Sequence, residues 1–418
     1  MTYAFNAANP SNSSGPAGPP VRNPAHTPEL MLDEVRMQAN ICRMQARLSA
    51  AQVIARPHVK TAKCLPIIEL MVAGEAAPRL TVSTLREAAE VLSAGYKDVL
   101  YAVGVVPQKL PELQHLALKH AARVSVILDS VVVAQALVAF AEQCLQGQAG
   151  AKGASGKCLI DAFIELDVDD HRAGVAPDDD ELLMIGKVLG ASGLLRGVMT
   201  HAGGAYDCRN RAELEAMAER ERAGAVFAAE ALRAAGVPVA EVSIGSTPTA
   251  SVAPSFAGVT EVRVGVYVFN DLVMAGLGVC TQQDIALTVR ASVIGHQPER
   301  NTLLIDAGWM ALSSDRSTAG FSSDQGLGLV LEPDRQTGDK KTGNKQDLIV
   351  ASANQEHGLV VTRSGAPLDF VRYPIGAELR ILPIHACSTA AQFEGYQVES
   401  SDSKPHAESR FWPRFRGW

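Results

Sequence analysis

The sequence has little that would suit a nucleic acid or a membrane. Acidic residues outnumber basic ones, 45 to 38, and the net charge of −7 argues against a nucleic-acid or anionic-membrane partner. The most apolar stretch, "VSVILDSVVVAQALVAFAEQCL", is interrupted by Asp129, Ser130 and Gln135. It therefore indicates a buried strand followed by a helix and not a membrane span.

Paired cysteine motifs and a leader segment are also missing. The seven cysteines are scattered and form no CxxC pair, which argues against a disulfide framework and favours a reducing compartment. Residues 1–24 have no cationic start followed by an apolar core, so they predict no signal peptide. Their Asn, Ser, Gly and Pro content predicts a disordered tail. We therefore expect a cytoplasmic protein.

A regular alternation of strand-like and helix-like segments fills much of the chain. Eight β-rich runs occur between residues 51 and 270, and most are separated by Ala/Leu/Glu-rich segments with apolar residues at helical spacing. This α/β rhythm predicts a TIM-like (β/α)8 barrel. A doubly wound open sheet is the alternative, because local patterning does not show whether a sheet closes.

The pattern changes after residue 280, which predicts a second, C-terminal β-rich domain. Strand-like runs there are linked by turns without helical spacers. We predict a barrel over residues 25–280, a β-rich domain over 281–398, and a tail over 399–418 in addition to the one over 1–24. The short apolar run before the first helix is compatible with either domain.

Polar residues lie at the ends of the predicted barrel strands, where barrels of this type build their active sites. The first strand ends in "RPHVKT", in which strand alternation turns His58 and Lys60 to one face. A lysine in this position can form a Schiff base with a carbonyl cofactor or substrate, and Arg56 and His58 would tune its environment. A solvated lysine at a strand end is the alternative.

Three further strand ends carry groups suited to catalysis or binding. "THAGGAY" contains His201 and Tyr206, which suit acid–base chemistry or stacking on a ring. "DVDDHRAG" contains Arg172, which suits a cofactor or carboxylate, or a salt bridge with the neighbouring aspartates. "IGSTPTA", residues 244–250, offers a glycine and hydroxyls that suit a phosphate, or an ordinary turn.

The second domain contains a candidate metal pair, His385 and Cys387, in "PIHACSTAAQF". On a strand, residues two apart project to the same side. An imidazole and a thiolate suit Zn²⁺, and two protein ligands leave positions open for water and substrate. His357 in "NQEHG" is a candidate third ligand. A buried cysteine beside a structural histidine is the alternative.

Taken together, these motifs resemble the fold-type III pyridoxal-phosphate enzymes related to alanine racemase, and more narrowly the D-serine dehydratase and D-threonine aldolase family. The motifs are "RPHVKT", "THAG…Y", "GSTPT", "EVRVGVYVFND", "DAG", "NQEHG" and "HAC". The resemblance spans about residues 25 to 398. It implies that the barrel binds pyridoxal 5'-phosphate, that the β-rich domain supplies a divalent metal, and that the site is completed in a homodimer.

The resemblance also implies roles for individual residues. Lys60 would hold the cofactor and, once freed, act as a base, with His201 as a second catalytic residue. His385 and Cys387 would hold the metal. The other cofactor contacts would come from Arg172, Tyr206, Gly245, Ser246, Thr247 and Tyr267.

The implied reaction is loss of the β-hydroxyl from a D-3-hydroxy amino acid, which gives a 2-oxo acid and ammonia. Aldolases of the family resemble one another in an H-x-Asp metal pair that suits Mg²⁺ or Mn²⁺, whereas the thiolate of Cys387 favours Zn²⁺. We therefore expect a dehydratase, with an aldolase that releases glycine and an aldehyde as the alternative. A non-catalytic cofactor carrier is disfavoured, because a carrier would not need the second domain and its metal pair.

D-serine and D-threo-3-hydroxyaspartate are the substrates that this resemblance favours. The second carboxylate of 3-hydroxyaspartate needs an additional cation, and Arg316 in "SSDRST" is a candidate. The preference for D-amino acids comes from the resemblance alone.

Overall fold

The computed structural model describes residues 26–147, 156–331, 347–399 and 410–418. Eight strands form a parallel sheet: β2 (Ile54–Ala55), β3 (Arg79–Val82), β4 (Asp98–Gly104), β5 (Arg123–Leu128), β6 (Ile160–Leu166), β7 (Leu195–Thr200), β8 (Glu241–Ile244) and β9 (Glu261–Val262). Their order is β2-β9-β8-β7-β6-β5-β4-β3. Each falls within one of the β-rich runs of the sequence, so the predicted strands are confirmed.

The sheet closes into a barrel through the motif that also carries the candidate lysine. His58 and Thr81 form a parallel bridge. The N–H of Val59 donates to the carbonyl of Thr81, and the N–H of Thr81 donates to the carbonyl of Pro57, both at 2.9 Å. These bonds join the extension of β2 to β3, so the (β/α)8 barrel is confirmed over the open sheet.

Helices connect most of the barrel strands and surround them. Before β9 these are α1 (Glu34–Ala50), α2 (Leu65–Met71), α3 (Leu85–Ser93), α4 (Leu110–Lys119), α5 (Val131–Leu145), α6 (Asp180–Ala191), α7 (Arg211–Ala234) and α8 (Thr247–Val252). Local signals set their starts. The Thr84 side chain accepts from the N–H of Glu87 at the start of α3, and Asn210 does the same for Glu213 at the start of α7. Within the described part of the chain, no helix is long and apolar enough to span a membrane.

A charged layer fills the amino end of the barrel interior. Arg56 is fully buried and donates to Glu261 and to Asp98, each at 2.8 Å. Arg196 donates to Asp98 at 2.6 Å. The prediction that Arg56 tunes the environment of Lys60 is wrong, because the arginine is held among these carboxylates at the opposite end of the barrel.

Nine strands form the second sheet: β1 (Glu29–Asp33), β10 (Leu287–Gln297), β11 (Thr302–Ile305), β12 (Gly328–Leu331), β13 (Leu348–Ala353), β14 (Gly358–Thr362), β15 (Glu378–Pro383), β16 (Gly395–Glu399) and β17 (Arg410–Pro413). Their order is β11-β14-β13-β12-β15-β10-β1-β16-β17, and all pairs are antiparallel except β1 with β16. The predicted β-rich second domain is confirmed. Three short helices accompany it: α9 (Leu272–Gly276), α10 (Trp309–Leu312) and α11 (Ala386–Ala391).

Both ends of the described chain contribute to this second sheet. β1 pairs with β10 and β16, so the short apolar run before α1 belongs here. β17 pairs with β16 and comes from the segment for which the sequence predicts a tail. The other predicted tail, residues 1–24, lies outside the described residues. The boundaries proposed between the parts of the chain remain predictions.

Candidate active site

A cavity of about 590 Å³ lies at the carboxyl ends of the barrel strands and extends to the second domain. It is lined by nine of the residues predicted from the sequence: Lys60, Arg172, His201, Tyr206, Gly245, Ser246, Thr247, His385 and Cys387. The side chain of Tyr267 is 4% exposed and lines a separate cavity of about 110 Å³. The contact of Tyr267 with these nine residues is made by its backbone, whose N–H donates to Thr247 Oγ1 at 3.1 Å.

Lys60 lies in a turn directly after the barrel-closing bridge. Its neighbour Val59 is fully buried, whereas the lysine side chain is exposed and lines the cavity. The N–H of Lys60 donates to His58 Nδ1 at 3.4 Å, so His58 Nε2 carries the proton and donates to Ser83 Oγ at 3.2 Å. Burial, reinforced by the charge of Lys60, holds the pKa of His58 well below its usual value. His58 is therefore a neutral neighbour of the lysine.

Two short helical turns begin side by side at the cavity. Ser246 caps α8, and its Oγ accepts from the N–H of Thr249 at 3.3 Å. A second turn, Val266–Val268, begins after Gly265, and both starts line the cavity. The first N–H groups of a helix have no acceptor within it, so such starts favour an anion. Gly245 has φ +129°, and a Cβ there would lie 2.6 Å from the Arg263 carbonyl oxygen, so only glycine fits this bend.

We call Gly245, Ser246, Thr247 and the start of the Val266–Val268 turn the anion cradle. A buried carboxylate connects this cradle to the loop after β7. Glu221 on α7 is 1% exposed, and its Oε1 accepts from the N–H groups of Ala202 at 3.0 Å and Gly245 at 3.1 Å. Burial raises the pKa of Glu221. The sequence analysis above does not include this residue. Helical spacing could have identified Glu221 in the sequence, because it falls between Ala218 and Ala225 on the buried face of α7.

His201 is a neutral imidazole in this site. Its Nδ1 lies 3.1 Å from the carbonyl oxygen of Gly245, and because a carbonyl only accepts, Nδ1 carries the proton. Burial lowers the pKa of His201 to about 3. Burial also raises the pKa of the Tyr206 hydroxyl. His201 thus offers Nε2 as a hydrogen-bond acceptor, and Tyr206 keeps its proton.

Two arginines bring positive charge to the cavity from different sides. The side chain of Arg172 is 57% exposed and lies 3.5 Å from Glu165. The sequence pattern favours a salt bridge with the neighbouring aspartates as the alternative role, and the carboxylate in the structure is instead Glu165. Arg263, which the sequence analysis does not include, is buried and donates to Ser243 Oγ and the Thr200 carbonyl, each at 2.5 Å. Burial lowers its pKa to about 10, so it remains a cation at neutral pH. Its signal in the sequence is an arginine within the apolar run "VTEVRVGVYVF".

The candidate metal pair is held at the start of a helix. β15 ends at Pro383, His385 caps α11 and Cys387 lies in its first turn. The expectation that both stand on a strand is therefore wrong, although both still line the same cavity. Cys387 Sγ is 3.2 Å from Thr61 Oγ1. Burial alone would raise the pKa of Cys387, but its hydrogen bonds with His385 and Thr61 lower it, which favours the thiolate.

Asp315 orients the histidine of this pair. Its Oδ2 lies 2.9 Å from His385 Nδ1, which leaves Nε2 for a metal in the usual carboxylate–histidine arrangement. The sequence analysis selects its neighbour Arg316, which instead pairs with Asp324 at 2.6 Å and does not line the cavity. His357 is exposed at the connection between β13 and β14 and does not line the cavity either.

The donor set fits a metal with few protein ligands. Across the described ranges, no group of three or more His, Cys, Asp and Glu is arranged to hold an ion. An imidazole and a thiolate suit Zn²⁺, and a pair of ligands leaves coordination positions for water and substrate. Such a pair would suit a catalytic ion better than a closed structural site.

Comparison with known proteins decides the family. Residues 32–272 match the model "Alanine racemase, N-terminal domain", and residues 286–399 match "Putative serine dehydratase domain". The chain belongs to the fold-type III pyridoxal-phosphate family. Within this family, the D-threo-3-hydroxyaspartate dehydratase of Delftia sp. (strain HT23) is 46% identical over 94% of this chain and 98% of its own length. The D-serine dehydratase of Dictyostelium discoideum is 30% identical over 90% and 93%.

Solved structures of family members agree with this assignment. The Delftia enzyme superposes with a TM-score of 0.84 at 46% identity, covering 94% of this chain and 98% of that one. A variant of D-threo-3-hydroxyaspartate dehydratase solved in its metal-free form also superposes with a TM-score of 0.84. These relatives are dehydratases, which are lyases acting on hydroxy amino acids.

Proposed function

We propose that the protein is a dehydratase that depends on pyridoxal phosphate and a divalent metal. Its substrate is a D-3-hydroxy amino acid, D-threo-3-hydroxyaspartate or D-serine, and its products are a 2-oxo acid and ammonia. The observation that carries the proposal is the presence of Lys60, the anion cradle and the His385–Cys387 pair in one cavity. A protein that only carried the cofactor would not need that pair.

The cavity fits the two groups that this reaction needs. Gly245, Ser246 and Thr247 would hold the cofactor phosphate, and Lys60 would hold the cofactor through its amine. Arg172, His201 and Tyr206 line the space for the ring. When bound, the cofactor supplies an electron sink for the carbon that loses a proton, and the metal supplies a Lewis acid for the departing hydroxyl.

Lys60 would remove the α-proton of the substrate, because its amine lines the cavity in which substrate and cofactor would lie. Neither neighbouring imidazole is a strong enough base to remove that proton in place of Lys60, because burial lowers the pKa of both His58 and His201. His201 instead accepts a hydrogen bond through Nε2, while its Nδ1 stays bound to Gly245.

The second domain holds and orients the metal. His385 and Cys387 would bind it, with the imidazole fixed by Asp315 and the sulfur contacted by Thr61 of the barrel. The thiolate favours Zn²⁺ over Mg²⁺ or Mn²⁺. For a substrate with a second carboxylate, the cavity mouth offers His171 beside Arg172. Arg316 has no part in this proposal.

We further propose a cytoplasmic homodimer. All seven cysteines are free thiols, as expected in a reducing compartment. Trp309 and Met310 are 39% and 42% exposed and lie a few residues before Asp315, where a second subunit would cover them. Light scattering of the purified protein should give twice the mass of the chain, and the mass of a single chain would contradict this part of the proposal.

Product analysis tests the reaction. The purified protein is incubated with D-serine, D-threonine and D-threo-3-hydroxyaspartate, and ammonia and 2-oxo acid are measured against glycine and aldehyde. Ammonia and 2-oxo acid in equal amounts are expected. Glycine with an aldehyde and no ammonia would replace the dehydratase with an aldolase. Lys60→Ala should abolish the absorbance band of the lysine-bound cofactor, whereas Lys97→Ala, at an exposed position, should retain it.

A further inference from the structure

The aromatic and basic segment 410–418 contacts the turn that carries Lys60. Three successive carbonyls follow this lysine, and all three accept hydrogen bonds from this segment. Arg414 Nη2 donates to Thr61 at 3.4 Å and Arg414 Nε to Ala62 at 3.1 Å. The N–H of Phe415 donates to Lys63 at 2.8 Å. Residues more than 340 positions away therefore help to hold the end of the turn, in addition to the ion pair of Lys63 with Glu87 on α3 at 3.0 Å.

The same arginine also contacts the helix of the metal pair. Arg414 Nη1 donates to the carbonyl of Ala390, near the end of α11, and Cys387 lies in the first turn of that helix. Arg414 is 7% exposed, and its guanidinium lies 5.8 Å from the ring centroid of Tyr396. The Tyr396 hydroxyl donates to Ala62 at 2.6 Å. One planar cation thus bridges the lysine turn and the metal helix.

Chemistry favours arginine for this role. Its guanidinium presents several N–H donors in a rigid fork, and charged donors form stronger hydrogen bonds than neutral ones. The barrel holds the two ends of the turn, through Val59 and through the pairing of Lys63 with Glu87. Lys60 itself lies beyond the bridge of His58 to β3, so the carbonyls that follow it depend on Arg414 and Phe415 as well. A displacement of about 1 Å in a catalytic group can lower the rate about 100-fold. A fixed distance between Lys60 and the Cys387 thiolate would therefore keep the reaction rate high.

We propose that Arg414 is a positioning residue that fixes the Lys60 turn relative to the helix of His385 and Cys387. The proposal rests on the proposed function, which assigns the cofactor to Lys60 and the metal to the pair. A purely structural role in the second sheet would not require Arg414 itself, since β17 already pairs with β16 through its backbone.

Arg410 on the same strand provides the matched control. Its side chain is half exposed and pairs with Glu34 on α1, so it supports β17 without contacting the lysine turn. Arg414→Ala, Arg414→Lys and Arg410→Ala are compared with the full-length wild type. Three kinds of quantity are measured: the Kd of the apoprotein for pyridoxal phosphate, the Kd for zinc by competition with a chelator, and the steady-state constants kcat and KM for the substrate.

Arg414→Ala should weaken zinc binding and lower kcat by about 10- to 100-fold, the usual effect of losing a supporting residue behind a metal site. KM should change less, and added guanidinium ion should restore part of the lost zinc affinity and kcat. Arg414→Lys should have a zinc affinity and kcat between those of Arg414→Ala and the wild type, because a lysine ammonium lacks the guanidinium fork that reaches three carbonyls. Arg410→Ala should match the wild type in all three quantities.

Two results would overturn the proposal: wild-type zinc affinity and kcat in Arg414→Ala, or equal losses in Arg414→Ala and Arg410→Ala. If Arg414→Ala does not fold, Arg414→Lys decides by the same criteria. Failure of the proposed function gives a different result. The wild type would then produce glycine or no product, while the binding measurements would still report the effect of Arg414.

Discussion

Replacing Glu221 should weaken cofactor binding even though this side chain does not line the cavity. Its Oε1 accepts from the N–H groups of Ala202 and Gly245, at 3.0 and 3.1 Å, in a fully buried setting. Glu221→Ala leaves both donors without this acceptor. A buried donor without a partner costs about 1–3 kcal/mol, so the two together cost about 2–6 kcal/mol.

This free-energy cost should appear mainly as weaker cofactor binding, because the two unpaired N–H groups belong to loops that end at the cavity. Since about 1.4 kcal/mol corresponds to a tenfold change in Kd, even the lower limit of this range predicts at least a tenfold weaker affinity for pyridoxal phosphate. Fluorescence titration of the apoprotein measures the affinity, and urea unfolding of the same apoprotein measures any loss that is global.

Two variants of the same helix serve as controls. Glu221→Gln keeps an acceptor oxygen of the same length and should retain most of the affinity. Glu219→Ala removes a half-exposed carboxylate that pairs with Arg222 one turn away and should change stability by no more than about 0.5 kcal/mol. If Glu221→Ala binds the cofactor and unfolds like the wild type, the two buried hydrogen bonds do not hold the cradle.

Three further predictions address the cradle, the metal and the barrel interior. Gly245→Ala should weaken cofactor binding at least tenfold in the same titration, because its φ is +129°, whereas Gly193→Ala, at φ +69° with no atom near its added Cβ, should not. Exhaustive chelation should abolish turnover and leave the absorbance of the bound cofactor intact, and full activity after chelation would refute the metal role. Burial alone would raise the pKa of Asp98, but Arg196 and Arg56 lower it to about 2. The ionised Asp98 therefore adds to the free energy of unfolding above pH 4, and this contribution is lost as the pH falls towards 2. In urea unfolding, the stability of Asp98→Asn should fall by about 2 kcal/mol less than that of the wild type over this pH range.

The barrel was predictable from the sequence because its strands are local features. Most of the β-rich runs are followed by a helix, several of these helices begin at a capping side chain such as Thr84, Ser130 or Asn210, and no distant contact is needed to recognise either. Closure is different, since it depends on the bridge between His58 and Thr81, which no local pattern reveals. The placement of β1 was open for the same reason, because its partners lie in β10 and β16.

The candidate site was predictable where motifs fall at strand ends, and less so where a long-range contact selects the residue. Strand ends meet at one rim of a barrel, which brings Lys60, His201 and Gly245 together. In "SSDRST" the sequence does not show which charged neighbour faces the cavity. Asp315 is selected by its contact with His385, whereas Arg316 turns to Asp324. Contacts between residues far apart in the chain carry this information.

The pairing of β1 has a consequence for the order in which the molecule is made. Glu29 pairs with Arg290, 261 residues further along the chain. During synthesis, β1 leaves the ribosome early, with Leu30, Met31 and Leu32 on a strand that is buried in the finished protein. The barrel strands are complete before any partner of β1 exists. The nascent chain must therefore carry an unpaired apolar strand while the whole barrel is made, and during that time the strand is accessible to factors that bind exposed apolar segments.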